Sequence, residues 1–286
     1  MGELLLEPFG YAFMRNALAA GLLTVVASSL VGTWVVMRGL AFIGDALAHG
    51  VLPGIALAYV VGGDLILGAA LGAAAMVGGV SVIGARSRLG QDTAIGLLFV
   101  GMLALGVAII SARGAYAGDL TTILFGDPIG VGPDALRILA VATAITVVVS
   151  VVAYRPFLAL TYDRAKAHTL GLRPGVAHVA MLGLVALVVV TSFRSVGTLL
   201  VFAFLVAPPA TAVLVARRVP VVMTVAVAAG SLAVVVGLLL SYHLGTATAA
   251  TIAGVSVLGF FVVLLGREVA TALRSRTVSG SPGSAR

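Results

Sequence analysis

Nine stretches of the chain contain no Asp, Glu, Lys or Arg, and each is long enough to cross a lipid bilayer as a helix. They are residues 16–37, 46–63, 65–85, 93–112, 138–154, 174–193, 195–216, 219–242 and 247–266, the last two divided at the polar segment 243–246. A transmembrane helix needs about 20 apolar residues, whereas the strands of a membrane barrel are about ten residues long and alternate in polarity. The pattern predicts an all-α polytopic membrane protein with about nine transmembrane helices.

The composition excludes a soluble domain and a disordered chain. Of the 286 residues, 61% are hydrophobic and 9% are charged, and the mean hydropathy is +1.20. Soluble domains carry about 25% charged residues, and disordered chains have low hydrophobicity. The net charge of +7 comes without a basic cluster interleaved with aromatic residues, so we expect no nucleic-acid partner. The chain has no cysteine, which excludes disulfides and thiolate metal sites.

The basic residues predict the orientation of the bundle. With the C-terminus in the cytoplasm, thirteen of the seventeen Lys and Arg residues fall on the cytoplasmic side, as the positive-inside rule requires. The transmembrane domain then covers residues 16–266. Residues 1–15 form an N-terminal segment compatible with an interfacial helix. Residues 267–286 form a cytoplasmic tail that we expect to be disordered.

A polar segment, residues 155–175, follows the fifth span on the predicted cytoplasmic side. Asp163 suits the N-cap of a helix, the residues from Ala165 onward favour helix, and Gly171 suits the position that ends one. We therefore expect a short cytoplasmic helix within residues 157–174.

The residues that most suggest chemistry are Asp45 and His49, at the start of the second span. Ionisable residues are costly inside a membrane and mark functional sites. Four residues apart on a helix, the two side chains share one face, and a carboxylate with an imidazole suits Mn²⁺, Zn²⁺ or Fe²⁺. Two ligands do not close a site, but a twofold dimer would supply four. Alternatively, Asp45 caps the helix and His49 makes an interhelical hydrogen bond, or the pair relays protons.

Two further features concern the transport path and its energy source. Pro208 and Pro209 lie in the seventh span, where they are expected to break or kink the helix. A phosphate-binding loop requires Lys followed by Ser or Thr, but the single lysine, Lys166, is followed by Ala167. Any ATP hydrolysis must therefore come from a separate subunit. The chain also lacks a protease-type Ser/His/Asp arrangement or His-Glu-x-x-His, so we expect it not to be an enzyme.

The sequence resembles the ABC-3 family, the membrane permease subunits of ABC importers for zinc, manganese or iron, over roughly residues 12 to 265. The matching motifs are Gly44-Asp45-Ala-Leu-Ala-His49-Gly-Val-Leu-Pro53-Gly54, Leu124-Phe125-Gly126-Asp127, Thr161-Tyr162-Asp163, Val196-Gly197-Thr198-Leu199-Leu200 and Ser241-Tyr242. Together these motifs are specific, whereas any one alone would be weak.

The resemblance implies a type II-like permease fold in the bacterial plasma membrane. It implies Asp45 and His49 as contacts for a transported zinc or manganese ion, with no cofactor bound by the chain itself. It also implies that a helix carrying Tyr162, Asp163, Ala165 and Gly171 docks on cytoplasmic ABC ATPase subunits. The other expected partners are an extracytoplasmic metal-binding protein and a second permease, either an identical copy or a close relative.

Two other transport functions compete with this one. A proton-coupled secondary metal transporter would use Asp45 as the proton carrier and would need no ATPase. An ABC permease for a metal chelate would need a wide path rich in aromatic residues, whereas only 6% of this chain is aromatic. Asp and His together are compatible with Zn²⁺, Mn²⁺ and Fe²⁺ alike.

Overall fold

The computed structural model describes residues 7–86, 90–112, 130–162, 172–193 and 195–279, and within them all regular structure is helical. A 3₁₀ turn at Glu7–Gly10 precedes eleven α-helices. In chain order these are Ala12–Met37 (α1), Phe42–Gly50 (α2), Leu52–Val61 (α3), Leu65–Arg86 (α4), Gln91–Ser111 (α5), Pro133–Val152 (α6), Tyr154–Tyr162 (α7), Pro174–Ser192 (α8), Thr198–Val215 (α9), Val219–Leu244 (α10) and Thr248–Ser279 (α11).

The described chain contains nine spans long and apolar enough to cross a membrane, which confirms the predicted fold class. Helices α2 and α3 together make one of them, Phe42–Val61, and α7 is too short to be one. The larger hydrophobic core surrounds Trp34, Leu47 and Met181. A second core, around Phe204 and Val234, joins the first half of α1 to α9, α10 and α11.

Several helices extend beyond the charge-free stretches that predicted them. α1 begins at Ala12 rather than residue 16, and α6 at Pro133 rather than residue 138. The extra turns carry Arg15 and Arg137, whose side chains contact Gly10 and Asp134 respectively. A charged residue at the end of a membrane helix reaches the interface without unwinding the backbone, so charge marks the edge of the hydrocarbon core rather than the end of the helix.

The C-terminal segment differs from its expected disorder. α11 continues to Ser279, so residues 267–279 are helical rather than an unstructured tail. The first of these, Arg267, donates a hydrogen bond from Nη1 to the carbonyl oxygen of Leu214 at the end of α9. This contact holds the helix against its neighbour beyond the apolar stretch. Residues 280–286 lie outside the described part of the chain.

Pro208 and Pro209 do not break their span, because both lie buried inside the continuous helix α9. Prolines lack the N–H group that would bond to the carbonyl four residues earlier, so the carbonyls of Phe204 and Leu205 lose their helical partners. The Leu205 carbonyl lies directly against Gly32 of α1, where a β-carbon would overlap it. Gly32 thus lets the backbone of α1 approach α9 at the position of the prolines.

Small residues bring α3 and α4 into backbone contact. A β-carbon on Gly68 would overlap the carbonyl oxygen of Gly54, and it would lie 2.6 Å from Cβ of Ala58. A β-carbon on Gly72 would lie 2.9 Å from the carbonyl oxygen of Val51. Close packing of this kind drives helix association in lipid, because the hydrophobic effect does not bring helices together there.

Replacing Gly68 with Leu is expected to destabilise the bundle strongly. The new side chain meets backbone that no rotamer change can move, and overpacking costs about 3 kcal/mol in such cases. The matched control is Gly78→Leu in the same helix, because nothing lies within 4 Å of a β-carbon at Gly78. Thermal unfolding of the detergent-purified protein should show a lowered Tm for Gly68→Leu alone. Equal Tm values for the two variants would contradict the close α3–α4 contact.

Candidate metal-binding site

The turn after α1 determines where α2 begins. Gly39 has φ +67°, a left-handed conformation that glycine adopts without strain. Its amide donates to the carbonyl of Val36, and the next amide, of Leu40, donates to the carbonyl of Val35. This paired pattern is the Schellman motif that ends many helices. Leu40 is buried in the core beside Val35, so the chain is anchored before α2 begins at Phe42.

The second span is interrupted between α2 and α3 at Val51, two residues beyond His49. α2 ends at Gly50, and Val51 lies between the two helices. Pro53 is in the first turn of α3, where its missing N–H group costs nothing, although the same residue would interrupt a continuous helix. Pro53 thus gives a physical reason for the break beside His49.

Asp45 and His49 lie on one face of α2, as their spacing predicts. Nδ1 of His49 is 3.0 Å from the backbone carbonyl oxygen of Asp45 and 3.5 Å from its carboxylate Oδ1. A carbonyl oxygen can only accept, so the hydrogen bond requires a proton on Nδ1. In the neutral ring Nε2 then carries a lone pair, the arrangement that suits a metal-binding histidine.

Both side chains of the pair are partly open. The side chain of His49 is 24% exposed and that of Asp45 is 29% exposed, whereas their neighbours Ala46, Leu47 and Ala48 are buried. α2 therefore presents a carboxylate and an imidazole on an otherwise apolar surface. Ionisable side chains within a membrane span commonly mark a functional site.

The geometry does not match the capping alternative. The N-cap of α2 is Ala41, and no side chain caps the helix. Asp45 is in the first turn of α2 but four residues beyond the N-cap, and the hydrogen bond of His49 is to its own helix rather than to another. Across the described residues, no group of three or more His, Cys, Asp or Glu side chains is close enough to hold a metal ion. Within the described residues, one chain therefore brings together only two candidate ligands, Asp45 and His49.

An aromatic residue missed by the sequence analysis borders this pair. The ring of Phe99, from α5, lies 5.4 Å from the His49 ring at 85° and 5.4 Å from the Phe42 ring at 73°. Edge-to-face geometry of this kind is favourable for aromatic rings. No pattern in the sequence distinguishes Phe99 from the other apolar residues of its span.

The remaining histidines within the described chain make hydrogen bonds near span ends. His178 is buried, with its ring nitrogens near Arg38 and Gln91. His243 is exposed, and its Nδ1 bonds to the carbonyl oxygen of Leu239 in its own helix. Neither histidine takes part in the ion pair or the hydrogen bond that joins Asp45 and His49.

The expected ATPase-coupling residues are only partly within the described structure. Tyr162 is the last residue of α7 and is exposed. Asp163, Ala165 and Gly171, like the Leu124–Asp127 motif, lie outside the described residues. α7 itself packs on α1, where the edge of Trp34 contacts the rings of Tyr154 and Phe157 at 5.6 and 5.7 Å.

Comparison with known proteins decides the family. Residues 10–267, nearly the whole chain, match the family described as the ABC 3 transport family. The chain belongs to this family. Its membership confirms the resemblance carried by the motifs, and with the nine apolar spans it identifies a multi-pass protein of the bacterial plasma membrane. An ABC 3 protein of this kind is the permease subunit of an ABC transporter.

Individual relatives of this ABC 3 permease cover almost its full length. It is 36% identical over 265 residues to the "Probable iron transport system membrane protein" of Haemophilus influenzae, covering 93% of this chain and 97% of the relative. It is 31% identical over 255 residues to the "Manganese transport system membrane protein MntC" of Listeria monocytogenes, covering 89% and 91%. The solved structure of PsaBC from Streptococcus pneumoniae in complex with Fab is similar with a TM-score of 0.80, at 29% identity, covering 92% of this chain and 94% of the PsaBC chain.

Proposed function

We propose that this permease forms, as a dimer, the membrane path of an ATP-driven importer of divalent transition-metal ions: manganese, zinc or iron. The observation that carries the proposal is the pair Asp45 and His49, placed on one face of α2 with Nε2 of the imidazole available as a ligand. The names of the relatives, which refer to iron and manganese transport, support the same substrate class.

A dimer completes the coordination that one chain leaves open. Two copies related by a twofold axis near α2 supply two carboxylates and two imidazoles. The two aspartates match the charge of a divalent cation, and mixed nitrogen and oxygen ligands suit Mn²⁺, Fe²⁺ and Zn²⁺. Because the ligands come from both subunits, relative movement of the two copies would open the coordination shell and release the ion.

The energy for transport comes from partner subunits. Lys166 is followed by Ala167, so the chain has no phosphate-binding loop of the Gly-Lys-Ser/Thr type. The proposed arrangement places cytoplasmic ATPases against residues 157–174, and an extracytoplasmic metal-binding protein delivers the ion to the opposite face.

The experiment that tests this function separates ATP from protons as the energy source. The permease is reconstituted in liposomes with its ATPase and binding protein, and uptake of Mn²⁺ and Zn²⁺ is followed by elemental analysis. We expect uptake to require ATP and the ATPase and to be unchanged by a protonophore. Uptake that persists without the ATPase and stops with the protonophore would instead establish the proton-coupled transporter.

The same liposomes test the chelate alternative. A site of four side-chain ligands takes a bare ion, because a chelator would occupy the coordination positions that Asp45 and His49 supply. We therefore expect uptake of Mn²⁺ to fall when a tight chelator is added outside. Faster uptake of the chelate than of the free ion would contradict the proposed substrate.

A further inference from the structure

Helix α5 is loosely embedded compared with its neighbours. It packs on α2, α3 and α4, but only Ala94, Ile95 and Gly106 of its residues are buried. Within one chain few apolar contacts hold α5, so a shift of α5 against its own bundle would lose few of them.

The first turn of α5 is tied to α8 through a buried histidine. Nη1 of Arg38 lies 3.1 Å from Nδ1 of His178, and the side-chain amide of Gln91 lies 3.2 Å from Nε2 of the same ring. Arginine only donates, so Nδ1 accepts and Nε2 carries the proton. Nε2 then donates a hydrogen bond to the amide oxygen of Gln91, once a rotation of the side-chain amide exchanges the positions of its oxygen and nitrogen. His178 thereby joins the end of α1 and the starts of α5 and α8.

The hydrogen bonds of His178 with Arg38 and Gln91 lie next to the segment expected to dock on the ATPase. α8 begins at Pro174, where residues 157–174 end, and His178 is one turn further along. α7, at the other end of the same segment, packs on Trp34 of α1, one turn before Arg38. A displacement of residues 157–174 would therefore move His178, which is only one helical turn away.

α5 also contacts the candidate metal ligand His49, through Phe99. Phe99 is eight residues beyond Gln91, about 12 Å along the helix. The 5.4 Å edge-to-face contact of its ring restricts rotation of the His49 imidazole, and so does the hydrogen bond from Nδ1 to the backbone carbonyl oxygen of Asp45. Hydrogen-bonded groups that orient a metal-binding histidine typically change metal affinity about 10- to 100-fold when removed. An edge-to-face ring contact is weaker, so its loss corresponds to about tenfold at most.

We propose that Phe99 is a positioning residue for the His49 ligand, and that α5 links the Gln91–His178 hydrogen bond at its start to that ring. The inference rests on the proposed function, since it gives Phe99 and α5 a role only if His49 binds the transported ion. Movement of α8 during the ATPase cycle pulls on Gln91, shifts Phe99 and turns the imidazole away from the ion.

The first test measures metal affinity of the assembled permease dimer in lipid nanodiscs, with Mn²⁺ as the probe. Phe99→Leu keeps an apolar side chain but removes the aromatic edge, and we expect it to weaken Mn²⁺ binding about tenfold. Phe99→Tyr restores the ring and should restore affinity. The matched control, Val100→Leu, changes an exposed residue next to Phe99 and should bind normally. Wild-type affinity in Phe99→Leu would overturn the positioning role.

A double-mutant comparison separates failure of this inference from failure of the proposed function. If Phe99 acts through His49, adding Phe99→Leu to His49→Ala should cause no further loss of affinity. A further loss would overturn the inference while leaving the metal site intact. Normal Mn²⁺ binding by His49→Ala alone would instead refute the proposed function, whatever Phe99→Leu does.

The second test measures ions transported per ATP hydrolysed by the full transporter in liposomes. Gln91→Leu removes the hydrogen bond to His178 without touching the metal ligands, and we expect the ratio to fall about threefold, within the range for residues that carry coupling. Mn²⁺ affinity should stay at the wild-type value. The matched control is Thr93→Leu, an exposed position in the same turn of α5. An unchanged ratio in Gln91→Leu would overturn the role of α5 as the link.

Discussion

Replacing Asp45 with Asn is expected to abolish nearly all metal uptake, a fall of about a hundredfold or more, while the permease still inserts and dimerises. Asn keeps the shape of the side chain but removes the charge that balances a divalent cation. His49→Ala, which removes the nitrogen ligand, should have an effect of similar size. Loss of a ligand costs more than loss of a residue that merely orients one, which already costs about 10- to 100-fold.

Both substitutions have matched controls elsewhere in the chain. Asp64→Asn changes an exposed Asp whose Oδ1 accepts hydrogen bonds from the amides of Ile66 and Leu67, a role that Asn also fills. His243→Ala removes a histidine bonded to the carbonyl four residues earlier, as His49 is. Uptake of Mn²⁺ and Zn²⁺, normalised to folded permease in the membrane, should be near normal in the controls.

The double mutant gives a further check on the site. Because Asp45 and His49 serve one ion, the Asp45→Asn/His49→Ala protein should transport little worse than the worse single mutant. Near-normal uptake by either single mutant would remove this pair from the transport path. Reduced stability with full transport per folded molecule would show a structural role instead.

The second large effect is expected at the ATPase contact. Ala165→Asp places a charge on the surface that, by family resemblance, docks on the ATPase, and a short helix transmits motion only if its packing is tight. We expect normal insertion of the permease but loss of the co-purifying ATPase and of transport-linked ATP hydrolysis. Ala247→Asp makes the same change at an exposed turn on the predicted opposite face and should be silent. Undiminished ATPase association in Ala165→Asp would refute the docking assignment.

The spans could be predicted from the sequence because charge is excluded from the hydrocarbon core. Every charge-free stretch has its helix in the structure. The errors are at the ends, where Arg15 and Arg137 sit in helical turns and α11 continues past Arg267. At the helix ends hydropathy no longer determines whether the backbone is helical, because hydrogen bonds to neighbouring groups stabilise the extra turns.

The candidate ligands could also be predicted, since an i, i+4 spacing places two side chains on one helical face whatever surrounds the helix. The tautomer of His49 could not, because it depends on a hydrogen bond to the Asp45 carbonyl. Phe99 could not be predicted either. It is one apolar residue among many, and its contact with His49 joins residues fifty positions apart.

The sequence by itself determined that this chain is a helical membrane protein, where its spans lie, and that Asp45 and His49 share a face, because these follow from solvation and from the local geometry of one helix. The tertiary structure decided which helices meet: Gly68 against Gly54, Leu205 against Gly32, and Gln91 and Arg38 on His178. In a bilayer, lipid tails are as apolar as the helix surfaces, so hydropathy does not select among partners. Steric fit and single hydrogen bonds between distant residues make that choice.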